Sequence, residues 1–150
     1  MARGPIRRSA RGDYIVELDD GTRSLVRHMC DQVDGLLDSD SPLLARLFPP
    51  PYGDDTERNE GYAALAGPEL IENRRAALDS VRRTADAERV TEEELLDWMR
   101  SLNDMRLVLG TLLGVEDDGE PELAEEHSGS WDVYEHLGML LEIVVDAMSS

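Results

Sequence analysis

Apolar residues recur at three- and four-residue steps along most of this chain, a spacing typical of helices that bury one face. The pattern predicts a weak helical segment at 56–66, which Gly61 interrupts. It also predicts helices at about these positions: 23–37, 43–48, 68–87, 92–113 and 131–147. The expected fold class is therefore mainly α, a helical bundle of three long and two short helices.

Capping signals set the expected ends of several helices. Thr22 is the predicted N-cap of the first helix, because its hydroxyl can accept a bond from a free N–H of the first turn. Thr91 followed by Glu94 forms a capping box for the helix after it. Gly67 is expected to end the weak segment, and Pro68 to lie in the first turn of the next helix.

A small β-hairpin is predicted near the N-terminus. Two runs at 6–10 and 14–18 flank a turn signal at 11–13, and the second run is rich in β-branched and aromatic residues. Two strands alone are barely stable in water. We therefore expect the hairpin to lie on the helical body or to pair across a dimer.

The length of 150 residues is that of a single domain. Seven of the eleven residues at 116–126 are acidic, with Gly119 and Pro121 among them, which predicts a solvated loop. The domain then has four parts: a basic arm and hairpin (1–21), a helical core (22–114), an acidic loop (115–130) and a C-terminal helix (131–150).

The balance of charge is strongly acidic. The chain has 33 Asp and Glu residues against 15 basic residues, all of them Arg, and a formal net charge of −18. This charge repels phosphate backbones and anionic lipid headgroups, so the expected partner is another protein with a basic surface. We expect the acidic body to bind no nucleic acid by itself.

The apolar runs and the cysteine content indicate the cellular compartment in which the protein is expected. No apolar run approaches the ~20 residues that cross a bilayer, and no apolar core follows the N-terminal arginines as in a secretory signal. The single cysteine, Cys30, excludes an intramolecular disulfide. We therefore expect a cytoplasmic protein with no membrane contact.

The first twelve residues are basic, in contrast to the rest of the chain. They hold four arginines and no acid: Arg3, Arg7, Arg8 and Arg11. A basic arm on an acidic body is a candidate for nucleic-acid contact. The alternative is a mobile terminus, or an arm that pairs with the acids of the body.

Two arginine pairs lie on the helix at 68–87, with Arg75 and Arg82 one heptad apart, which makes them a candidate contact patch. The four residues are Arg74, Arg75, Arg82 and Arg83. Exposed, they would bind an acidic protein surface or a phosphate. The alternative is pairing within the helix, for which acids at three- and four-residue spacing are available: Glu72, Asp79 and Asp86.

A polar cluster, Asn103, Asp104 and Arg106, lies on the helix predicted at 92–113. Arg106 falls within the apolar stripe of that helix, and a buried charge must be paired. We expect Arg106 to bond an acid or backbone carbonyls of a neighbouring helix. The alternative role for this cluster is anion binding.

Catalytic and metal-binding patterns are not found in the sequence. It has no nucleophile elbow, no glycine-rich phosphate loop and no second cysteine for a zinc site. Cys30 lies on an apolar stripe, where a thiol acts as a small hydrophobe with a high pKa; the alternative is a redox-responsive thiol. We expect a protein that is not an enzyme and needs no cofactor or metal.

Three stretches resemble an actinobacterial family of domains of unknown function. They are Leu-Phe-Pro-Pro-Pro-Tyr at 47–52, Arg-Arg-Ala-Ala-Leu at 74–78 and Leu-Asn-Asp-Met-Arg-Leu-Val-Leu-Gly-Thr at 102–111. Family genes tend to lie near the Clp-protease adaptor gene and near cysteine-biosynthesis genes. Some members are described as oxidation-sensing transcriptional regulators that act with a stress sigma factor.

The resemblance implies a non-enzymatic regulator of transcriptional stress responses that acts by protein–protein contact. The partner it implies is a sigma factor or another basic protein. Two alternatives remain open: direct DNA binding, and an adaptor role linked to Clp proteolysis. The hairpin and the broad apolar face of the last helix also suggest a homodimer.

Overall fold

The structure, a computed structural model, describes residues 4–39, 44–113 and 128–149. In these ranges it has four long helices, one four-residue helix and a three-stranded sheet. The elements are β1 (Ile6–Arg8), β2 (Tyr14–Val16), α1 (Asp20–Leu37), α2 (Leu44–Leu47), α3 (Thr56–Thr84), β3 (Arg89–Val90), α4 (Glu92–Leu113) and α5 (Ser128–Ser149). The mainly helical class is confirmed, but the predicted count of three long and two short helices is wrong.

The number of short helices differs because α3 runs without a break through Gly67 and Pro68, which joins the predicted segment at 56–66 to the helix predicted at 68–87. A side chain before proline clashes with the proline ring in helical geometry, and Gly67 has no such side chain. Pro68 donates no bond to the carbonyl of Ala64, but Ala64 is exposed and water can satisfy that carbonyl. The expected break at this dipeptide is therefore wrong.

The N-termini of α1 and α4 test the two capping predictions. Asp19, not Thr22, caps α1, and its carboxylate accepts from the Thr22 N–H at 2.7 Å. Thr22 lies buried inside the helix, 3.0 Å from the ring of His136 in α5. The capping box of α4 is confirmed: the Thr91 N–H donates to Glu94 at 2.8 Å, and the Glu94 N–H donates to Thr91 at 3.1 Å.

The predicted hairpin is confirmed and is completed by a strand that the sequence did not indicate. Strands β1, β2 and β3 form an antiparallel sheet with β2 in the centre, and Tyr14 is paired with Val90. The turn between β1 and β2 needs a glycine, because Gly12 has a φ of 93°. Since β3 and α5 cover the hairpin, it lies on the helical body and needs no second copy.

The core is built around α4, which packs against both α3 and α5. Its largest buried side chain is Trp98, whose indole N–H donates to the Thr84 hydroxyl of α3 at 2.7 Å. Leu95, Leu102 and Met105 are also fully buried. Each such side chain contributes about 1.5–3 kcal/mol to folding, so the α3–α4–α5 contact carries much of the hydrophobic stabilisation.

Arg23 of α1 joins the sheet to the helices. It is 8% exposed and donates to four backbone carbonyls: Leu18 at 3.0 Å, Val16 at 3.1 Å, Ala85 at 2.9 Å and Ala87 at 2.9 Å. A buried cation is tolerated where its donors are satisfied in this way. Arg23 therefore connects the end of β2 to the chain between α3 and β3.

Two predicted features lie outside the described residues: the acidic loop at 116–126 and Arg3. No helix among the described residues is both long and apolar enough to cross a membrane.

Candidate functional site

Arg74 of α3 joins parts of the three motif stretches that are far apart in the sequence. Its guanidinium donates to the Asp104 carboxylate of α4 at 2.9 and 3.0 Å and to the Leu47 carbonyl at 3.3 Å. It also lies 5.5 Å from the centre of the Phe48 ring. The start of the proline-containing segment is thereby held against α3 and α4.

The Arg74–Asp104 pair is asymmetric in its exposure. The Asp104 side chain is 4% exposed, whereas that of Arg74 is 32% exposed. Burial raises the pKa of Asp104 to about 6, although the Arg74 charge and its hydrogen bonds act in the opposite direction. The carboxyl group can therefore change its charge in a mildly acidic range of pH.

A groove of about 660 Å³ lies beside this pair. One wall is formed by Phe48 and the prolines at 49–51, and the other by α3 residues that include Tyr62, Ala63 and Ile71. We call this feature the proline groove. Its lining is mainly apolar, and it is open to solvent, so it is a candidate binding site.

The segment at 52–72 supplies the α3 wall of the proline groove, and we call it the groove rim. It is acidic, and Glu72 is its carboxylate that lines the groove. Between residues 52 and 72 there are six carboxylates and one arginine. The carboxylates are Asp54, Asp55, Glu57, Glu60, Glu69 and Glu72. The arginine, Arg58, lies 3.5 Å from Asp55 and 5.8 Å from the centre of the Tyr52 ring, so its charge is engaged within the rim.

Two arginines of the predicted contact patch are engaged with α1. Arg75 bonds Asp34 at 2.9 Å and Asp38 at 2.6 Å, and Arg82 bonds Asp31 at 3.0 Å and Asp34 at 3.1 Å. Hydrogen bonds from Arg75 and Arg82 lower the pKa of Asp34. The heptad spacing of the two arginines thus matches a row of acids on the neighbouring helix.

The pairing within one helix that the sequence suggested for these arginines is found in part. Arg75 lies 3.7 Å from Glu72, and Arg82 lies 2.6 Å from Asp79. Asp86 instead pairs with Arg27 of α1. Arg83 is exposed and forms no recorded ion pair with the residues that the structure describes.

The predicted polar cluster on α4 is divided between two faces. Asp104 is buried against Arg74, whereas Asn103 is exposed. Arg106 faces α5, where it donates to the Tyr134 hydroxyl at 3.2 Å and lies 4.9 Å from the centre of that ring. A tyrosine thus stands where an acid or carbonyls were expected.

Two arginines of the predicted nucleic-acid arm lie in β1. Arg7 pairs with Glu17 at 2.7 Å, and Arg8 donates to the Tyr14 hydroxyl at 2.6 Å. Arg11 is exposed in the hairpin turn. Arg7 and Arg8 therefore belong to a strand of the sheet, and their side chains contact β2 and the residue that follows it.

Cys30 is fully buried among the apolar residues of the core. Burial raises the pKa of its thiol to about 12, against the smaller opposing effect of Arg82. A thiol in this setting has little thiolate at neutral pH and no contact with solvent. Among the described residues, no group of three or more His, Cys, Asp or Glu side chains is placed to hold a metal ion.

A family model described as "Domain of unknown function (DUF2017)" matches residues 3–148. The chain belongs to this family. Among curated relatives, "Oxidative stress regulator AosR" of Mycobacterium tuberculosis is 27% identical over an alignment of 158 positions that covers 89% of this chain and 72% of the relative. "Putative oxidative stress regulator AosR" of Mycobacterium leprae is 28% identical over an alignment of 128 positions that covers 73% of this chain and 59% of the relative. No solved structure matches the chain.

Proposed function

We propose that this protein is a non-enzymatic regulator of an oxidative stress response that acts by contact with a basic protein. The relatives' names support the regulatory role. The observation that carries the mode of action is the distribution of charge. Arg74, Arg75 and Arg82 are engaged with acids of the fold, while the segment at 52–72 beside the proline groove is rich in exposed carboxylates.

This distribution favours a cationic protein over nucleic acid as the partner. The net charge of −18 gives a field that attracts basic surfaces and repels phosphates. Three arginines of the candidate patch pair with acids of the protein itself, which leaves them less free to bind phosphate. Direct DNA binding, the alternative, would depend on the exposed arginines among the described members of the two candidate sets, which are Arg8, Arg11 and Arg83.

The buried ionisable groups also favour binding over catalysis. Asp104 faces Arg74, Arg23 faces backbone carbonyls, and Cys30 faces apolar side chains. Catalytic groups with altered pKa values usually face a cleft that holds the substrate. Here the two groups with strongly raised pKa values, Asp104 and Cys30, are buried among side chains of the fold.

Disruption of the gene in the bacterium that carries it tests the regulatory role. We expect the transcript response to peroxide to change in the disrupted strain and to return when the gene is restored. A response identical to that of the parent strain would contradict the role.

A DNA titration separates the two modes of action. We expect the purified protein to leave labelled duplex DNA unbound even at low salt, where phosphate contacts are strongest. Saturable binding to DNA at low salt that weakens steeply as salt is added would favour the alternative.

A further inference from the structure

We propose that the proline groove docks an amphipathic segment of the partner protein, with apolar side chains in the groove and Arg or Lys side chains on its rim. This inference rests on the proposed function, because it specifies where and how the basic partner binds. To that function it adds the site at which the partner binds and the chemistry of the segment that fits the site.

The first support is the shape and chemistry of the groove. Its volume of about 660 Å³ is in the range of binding clefts, and its walls are mainly apolar. The proline wall is stiff, since each ring fixes its backbone. Preorganised walls lose little conformational entropy when a ligand binds, which favours docking at this place.

The second support is the exposed apolar surface of α3 beside the groove. Leu65 is 89% exposed and Tyr62 is 38% exposed, although both belong to a long helix. The half of α3 that carries them is mostly exposed, whereas its other half is packed on α1 and α4. An apolar surface of this kind, rimmed by charged residues, is typical of an interaction site.

The third support is the charge of the rim, which selects the occupant. Between residues 52 and 72 six carboxylates stand against Arg58, and they also outnumber Arg74 and Arg75, which approach the groove at Phe48 and Glu72. Cationic flanks on the bound segment therefore gain electrostatic energy. A second copy of this chain would bring the same acidic rim and would be repelled. Nucleic acid would be repelled for the same reason.

The fourth support is the attachment of the groove to the core. Arg74 lies against Phe48, a wall residue, and pairs with the buried Asp104 of α4. Arg74 also donates to the Leu47 carbonyl, so its hydrogen bonds hold this end of the groove in place before a partner arrives. Docking there requires little rearrangement of the protein.

Fluorescence anisotropy with a labelled synthetic peptide tests the site. The probe is an amphipathic peptide of about 18 residues, with leucines on one helical face and arginines on the other. The test pair is Ala63→Gln, in the groove wall, and Ala64→Gln, an exposed neighbour that is not part of the wall. We expect Ala63→Gln to weaken binding at least about tenfold and Ala64→Gln to change it less than about twofold.

A second pair tests the charge. Glu72→Gln neutralises a groove residue, and Glu142→Gln neutralises an exposed acid of α5. We expect Glu72→Gln to weaken peptide binding about two- to threefold more than Glu142→Gln, and to reduce the dependence on salt. A peptide of the same composition in scrambled order should bind at least about tenfold more weakly.

Equal effects of Ala63→Gln and Ala64→Gln on peptide binding would overturn the proposal, as would the absence of saturable peptide binding. A stable dimer in light scattering that Ala63→Gln disrupts would also overturn it, because the occupant would then be a second copy. These outcomes leave the regulatory role standing. Conversely, an unchanged peroxide response after gene disruption would remove the regulatory role but not a groove that binds the peptide in vitro.

Discussion

At the scale of single residues, two arginines stabilise this fold in different ways. Arg23 is buried and donates hydrogen bonds to backbone carbonyls, whereas Arg74 is partly exposed and pairs with a buried carboxylate. The first arrangement fixes the chain path between the sheet and α3. The second attaches the proline groove to α4. Both arrangements can be tested by substitution.

Replacement of Arg23 by Met should destabilise the protein strongly, because four carbonyls would lose their donor at once. We expect a loss of roughly 2–4 kcal/mol in the free energy of unfolding, measured by urea denaturation. Arg83→Met is the matched control, since Arg83 is exposed, and it should change stability by less than about 0.5 kcal/mol. Similar stabilities of the two variants would contradict the role of Arg23.

Asp104→Asn should alter how stability depends on pH. The pKa of Asp104 is raised to about 6 from its ordinary 3.8, so the folded protein binds this proton more tightly than the unfolded chain does. The wild-type protein therefore loses stability as pH rises through about 6, and the Asn variant lacks this loss. Between about pH 5 and 7.5 the variant should gain roughly 1 kcal/mol relative to the wild type.

Denaturation of both proteins at several pH values measures that difference directly. A relative stability of the Asn variant that falls as pH rises would mean that the ion pair with Arg74 outweighs the burial of the carboxyl group. In that case the pKa of Asp104 would lie below its ordinary value.

Cys30 should react slowly in the folded protein. Its thiol is buried and its pKa is raised to about 12, so the reactive thiolate is scarce at neutral pH. We expect thiol labelling of the native protein to be at least about 100-fold slower than labelling in denaturant. Rapid labelling of the folded protein would restore Cys30 as a candidate redox sensor.

At the scale of elements, the agreement between sequence and structure depends on how local the signals are. The capping box and period of α4 lie within one segment, and the predicted range of 92–113 matches Glu92–Leu113. Strand β3 has two residues, too few for any periodic pattern, and its partner lies in the N-terminal hairpin. Short-range pattern therefore predicted α4 and missed β3.

The candidate site was predicted in its parts but not in its assembly. The sequence points to Arg74, Asp104 and the proline run separately. It did not join them, because Arg74 and Asp104 lie 30 positions apart and meet only when α3 packs on α4. The partners of Arg75 on α1 were missed for the same reason, since pairing within one helix is the arrangement that spacing suggests.

Two glycines of α3, the exposed Gly61 and the half-buried Gly67, should respond differently to alanine. Gly61→Ala should stabilise the protein by about 0.5–1 kcal/mol, because alanine favours the helix and the new methyl group meets no other atom. Gly67→Ala should lack this gain, because its methyl group would clash with the ring of Pro68. Thermal or urea denaturation measures both, and equal gains would contradict the explanation of the unbroken helix.

At the scale of the whole molecule, charge and packing divide the surface into two kinds of region. Between α1 and α3, arginines and acids meet and hold helices together. Along the proline groove, apolar wall residues adjoin a segment whose exposed acids outnumber the nearby arginines Arg58, Arg74 and Arg75. The first kind of region serves the fold, and the second is the place where we propose that a basic partner docks.

Site-specific photo-crosslinking in cells tests this account most directly. A photoreactive amino acid placed at position 63, in the groove wall, is compared with the same amino acid at position 64 during peroxide stress. The account predicts a protein adduct from position 63 alone, attached to an amphipathic segment rich in Arg and Lys. Adducts to nucleic acid, or equal protein adducts from both positions, would contradict it.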